Sequence, residues 1–174
     1  AYIPSGKGSF FYREITFDRS VPYISALKDF FFTHDFLTWT YRKVRIISVS
    51  GQYTLVPQEI FQEKEKDSFL NFNFTRPNDY CINSQLEEGV EIVFGLDNEV
   101  YEFCSRSFIN PEFTHHIIPT LNFWKKQGVN SLYRQMYVVL HNKMMDILCF
   151  DQNSLAFVNS FTVEQTDDIL YYIL

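Results

Sequence analysis

From Tyr137 to Phe161 the chain reads YVVLHNKMMDILCFDQNSLAFVNSF. Three apolar stretches of strand length are separated by two short polar breaks, His141-Asn142-Lys143 and Asp151-Gln152-Asn153, which predicts a three-stranded meander. A helix is expected to follow, from near Glu164 to Leu174. The same plan is expected at the front. AYIPSGKGSFFYREITF predicts the end of one strand, a turn, and a second strand from Ser9 to Phe17. A helix to about Phe36 comes next, with Ser20 as its cap and Pro22 in its first turn. Ile24, Leu27, Phe30, Phe31 and Leu37 recur along it at helical spacing.

Between these two blocks the pattern alternates. Lys43–Ser50 and Gln52–Val56 read as strands on either side of Gly51, Pro57 opens a helical turn, and Glu63–Phe72 reads as an acidic amphipathic helix with Phe69, Leu70 and Phe72 inward. Cys81–Leu86 and Glu91–Gly95 form a strand pair around Glu87-Glu88-Gly89. Asp97 caps a helix carrying Val100, Phe103, Cys104 and Phe108. A short strand, Phe113–Ile118, leads through Pro119 into a helix that Gly128 ends.

Composition narrows the function classes. The 174 residues are 46% hydrophobic, with 19 Phe and 11 Tyr but only 6 Gly; a sizeable core is affordable, while phosphate loops that press backbone on a ligand need glycine. A net charge of -6 disfavours nucleic acid or an anionic membrane as partner. The basic run Tyr41-Arg42-Lys43-Val44-Arg45 reads as a solvated strand edge. No run of 18 apolar residues and no signal peptide is recognised, so no membrane span is expected. Cys81, Cys104 and Cys149 lack CxxC spacing and suit buried thiols of a cytoplasmic protein.

The plan and the wording together carry a resemblance. YTLVPQEIF (53–61), FLNFNF (69–74), THHIIPTL (114–121), MMDILCFDQNSLAFVNSF (144–161) and DDILYYIL (167–174) resemble, in the same order, the bacterial domain-of-unknown-function 3822 family. The resemblance implies the actin-like ATPase (ribonuclease-H-like) fold: α/β, with two duplicated mixed-sheet subdomains. It implies residues 1–130 as a first subdomain lacking its first strand and 131–174 as the start of a second, the chain being shorter than the family at both ends.

ATPases of this fold build each phosphate site from an acidic strand end and a Gly/Thr-rich turn that wraps phosphate oxygens. Aligned on Asp146, the pattern puts Val139 at the acidic position. Leu140, His141, Asn142, Lys143, Met144 and Met145 replace the Gly/Thr turn. A valine cannot hold hydrated magnesium, so this half-site reads as degenerate, with no cofactor expected; Mg-ATP enters only if a competent loop lies outside the chain. Ser5-Gly6-Lys7-Gly8-Ser9 resembles a P-loop superficially, but it joins two strands and reads as a hairpin turn.

Other chemistry is sparse. His115-His116, adjacent on a strand, are expected to point to opposite faces, one into the core and one to the surface, with no metal held. Glu59, Glu63, Glu65 and Asp67 interleave with Lys64 and Lys66 as a solvated helix face, and Asp167-Asp168 sit in a first helical turn. No GxSxG or HExxH motif occurs, so no catalytic residue is assigned. The expected function is a non-catalytic interaction or scaffold protein with a protein partner, a homodimer being possible in principle. The alternatives are an ATPase or kinase-like phosphotransferase, and a ribonuclease-H-like nuclease using Asp146 or Asp151.

Overall fold

A computed structural model describes residues 10–75, 79–87, 89–128 and 132–174. The chain divides into two compact units, Ala1–Tyr41 and Arg42–Leu174. In the first, the helix α1 (Tyr23–Phe32) is followed by a single 3₁₀ turn, Asp35–Leu37. The expected helix is therefore cut short. The Thr33 hydroxyl and amide both donate to the carbonyl of Asp29, closing the last turn four residues early. Ser20 does not cap it; its amide donates to the Asp18 carboxylate, and Pro22 occupies the capping position. The expected strand Ser9–Phe17 does not form over Phe10–Phe17, where Phe11 alone makes an isolated bridge. A strand needs a continuous ladder of paired backbone groups, and a single bridge does not make one. Ser9 and the Ser5–Ser9 turn lie outside the described residues.

Among the described residues the second unit contains three sheets. In the first, β1 (Arg45–Ser48) pairs in parallel with β5 (Glu112–His115). Lys43 and Arg45 both reach Glu112, at 2.9 and 3.1 Å, so the basic run has its counter-charge on the neighbouring strand. In the second sheet, β4 (Val90–Asp97) is central between β2 (Tyr53–Pro57) and β3 (Asp79–Glu87), both antiparallel to it. The strands on either side of Gly51 thus enter different sheets. In the third, β7 (Met144–Asp151) lies between β6 (Gln135–His141) and β8 (Ser154–Thr162). The β7–β8 turn has positive φ at both Gln152 and Asn153, 49° and 66°, the form that matches strand twist in a two-residue hairpin.

Alternation along the central strands sorts their side chains to two faces. Ile92 and Phe94 of β4 join Tyr53, Leu86, Leu148, Phe150 and Val158 in one core, to which α4 (Ile117–Gln127) adds Ile117 and Leu121. Val93 points to the other face, against Val56, Cys81 and Leu70 of α2 (Lys66–Asn73). Phe69 is half-buried there, but Phe72, expected inward, is 89% exposed. Two residues beyond Leu70 on a helix it has rotated about 200° around the axis. Met145 and Ile147 of β7 face Val163 and Ile169, the latter from α5 (Thr166–Ile173).

Local signals set several boundaries. The Asp97 carboxylate accepts the Val100 amide at 3.0 Å and caps α3 (Asn98–Ser107). Gly128 closes α4. The main core draws on residues from both sides of position 130, and Trp124 stacks on Tyr137 across it with centroids 4.5 Å apart.

Candidate functional site

The β6–β7 hairpin sets Val139 opposite Asp146, and the β7–β8 register sets Ser160 opposite Asp146 on the other side. The three residues form one row across the sheet. The face is that of Leu148 and Phe150, so Asp146 looks toward the main core and is fully buried. Val139 packs against that same core. His141, two residues further along β6, shares the face.

Asp146 is held from three directions. His141 Nε2 donates to Oδ2 at 2.6 Å, and His116 Nε2 donates to the same oxygen at 2.9 Å. The Ser160 hydroxyl donates to Oδ1 at 2.5 Å and also lies 3.4 Å from the Tyr53 hydroxyl. Burial pushes the Asp146 carboxyl up, but the hydrogen bonds from His116, Ser160 and His141, with the charge of His116, outweigh it and hold the carboxyl below its ordinary value. Tyr53 has the opposite fate. Burial is the main cause, and its phenol is pushed up to about 12.

His115 and His116 are both buried, at 0% and 7% exposure, which corrects the expectation of one core and one surface histidine. The strand period ends between them. β5 stops at His115, and His116 already has helical backbone as it opens α4, so the two rings turn inward with centroids 4.5 Å apart. The His115 ring is locked in one tautomer: Nε2–H donates to the Ser50 carbonyl at 2.9 Å, and Nδ1 accepts the Ile117 amide at 3.4 Å. Burial, aided by the charge of His116, lowers its pKa to about 3, so it stays neutral. His116 and His141 meet edge to face at 5.0 Å.

The remaining hairpin positions are structural. Asn142 takes a positive φ of 53°, a conformation its side chain tolerates, and the Lys143 carbonyl accepts the Val163 amide. Leu140 and Lys143 are exposed, Met144 is half-buried, and Met145 is fully buried on the opposite face. A Cβ on Gly51 would sit 3.8 Å from Met144 and 3.7 Å from Ser160, so the β1–β2 connection lies close over this hairpin. Of the positions read from the sequence, the structure brings Val139, His141 and Asp146 to one face and adds His116, Ser160 and Tyr53. Ser160 and Tyr53 carry no local motif, and the His115-His116 pair was expected to be split between core and surface; only pairing across 14 to 107 residues brings the three together.

The model of a family described as "Protein of unknown function (DUF3822)" matches residues 2–174. The chain belongs to this family. A crystal structure of a Bacteroides thetaiotaomicron protein, described as having an actin-like ATPase fold and unknown function, is similar at a TM-score of 0.85 and 29% identity. The likeness covers 95% of this chain and 64% of that one, so the chain spans less than two thirds of its relative's length. The actin-like ATPase fold expected for the family is the fold of this chain. No curated protein matches it.

Proposed function

We propose that this member of the family is a non-catalytic, protein-binding module of actin-like architecture, in which the β6–β7 hairpin has become a structural latch. The observation that carries the reading is the state of Asp146. The carboxylate beside the would-be phosphate turn is fully buried and engaged on both oxygens by His116, His141 and Ser160. Its cross-strand neighbour is the apolar, core-packed Val139, where hydrated magnesium would need an acid. The hairpin residues do not fit Mg-ATP.

A protein partner suits the acidic net charge and the exposed aromatic side chains of this chain. Among the described residues no helix is long and apolar enough to cross a membrane. The free thiols of Cys81, Cys104 and Cys149 support a reducing, cytoplasmic setting.

Calorimetry with Mg-ATP on the full-length protein, backed by thermal melts, tests the reading. A ligand at about 100 times its Kd adds about 2.7 kcal/mol of stability, a shift a melt resolves easily. The expected result is no saturable heat and no shift at millimolar nucleotide. Saturable binding would refute the non-catalytic reading. Its loss in Lys143→Ala would locate the nucleotide at this hairpin, and its persistence would locate it elsewhere.

A further inference from the structure

The latch has a second chemical meaning. His116, His141 and Asp146 each offer a ligand atom, and these atoms all lie within 4.8 Å of one another. They come from three separately anchored places: the start of α4, the end of β6 and the middle of β7. Two imidazoles and a carboxylate are the donor set of first-row transition metals, not of magnesium or calcium, which take oxygen.

Two observations favour a cation over the hydrogen bonds alone. The groups bonded to the buried Asp146 are two imidazoles and a hydroxyl, with no ammonium or guanidinium among them. A carboxylate out of water needs compensating charge, and a dication supplies more of it than imidazoles do. Ser160 grips Oδ1 and leaves Oδ2 facing both rings, the arrangement of an outer hydroxyl that orients a ligating carboxylate.

We infer that His116, His141 and Asp146 form a binding site for a divalent transition metal of the zinc and iron class, with a ring nitrogen from each histidine and one carboxylate oxygen as ligands. The N···O contacts of 2.9 and 2.6 Å open by about 0.5 and 0.8 Å to reach the ~3.4 Å spacing of tetrahedral ligands at bonds of about 2.0–2.2 Å. Nε2 of each ring donates to Asp146 in the metal-free protein, so metal binding displaces that proton and a neutral ring then carries its single proton on Nδ1. Three protein ligands leave a coordination position for water or a partner's side chain.

The test is titration of tag-free, chelator-stripped full-length protein with Co²⁺, read by its visible absorption. One saturable equivalent, displaced by Zn²⁺, is expected. His141→Ala changes a partly exposed residue at the end of β6, and Asp146→Asn preserves shape; each is expected to weaken Co²⁺ by at least about 100-fold, and Ser160→Ala by about 10-fold. Lys143→Ala should leave affinity unchanged. Circular dichroism identifies which ligand variants fold, and a folded one decides. Absence of saturable binding at millimolar Co²⁺, or affinity that survives in a folded ligand variant, overturns the assignment.

Discussion

Acid should loosen this protein through a single histidine. His115 is fully buried, with its Nε2–H on the Ser50 carbonyl and its Nδ1 facing the Ile117 amide. Burial first, and the His116 charge second, take its pKa from 6.5 to about 3, against the opposing pulls of Ser50 and Asp146. The folded state therefore binds fewer protons than the unfolded one between these values. The stability this neutral ring contributes is complete above pH 6.5 and is lost as pH falls toward 3. Each pH unit below 6.5 costs about 1.4 kcal/mol, so moving from pH 7 to pH 4.5 should remove about 2–3 kcal/mol through this residue. Denaturant melts of the wild type and His115→Gln at both pH values isolate it, because the other acids and histidines are common to both proteins. The variant loses ring contacts with Tyr53 and Phe94 and starts less stable, but that loss is present at both pH values. The wild type should fall by about 2 kcal/mol more than the variant. Equal falls would refute the claim that His115 is held neutral by burial.

Two further substitutions probe the frame around the site. Asp97→Ala removes the side-chain acceptor of the Val100 amide and should cost about 1 kcal/mol in chemical denaturation, with no effect indicating that α3 is set by packing alone. Leu121→Ala opens the core where α4 meets both antiparallel sheets. It should cost about 2–5 kcal/mol by the same melts, and a loss under about 1 kcal/mol would mean that the site collapses around the missing atoms.

Much of the frame is legible in local chemistry. The meander from Tyr137, the caps at Asp97 and Gly128, and the β3–β4 pair rest on period-two alternation and short-range hydrogen bonds, which act over a few residues. Local signals misread the front segment and Phe72, because apolar alternation does not by itself make a continuous ladder, nor give a helix a neighbour on every face.

The assembly of the site was not legible. β1 finds β5 as a parallel partner 67 residues away, as Arg45 and Glu112 show, and that pairing brings the α4 start to the hairpin. From the sequence, His115 and His116 are neighbours expected on opposite faces; the strand-to-helix junction turns both inward, one to Ser50 and one to Asp146. What the sequence by itself determined was the order and kind of elements, because periodicity and capping depend on near neighbours. Only the tertiary structure decided that a buried carboxylate and two histidines meet, because burying a charge is tolerable only where distant segments bring it partners.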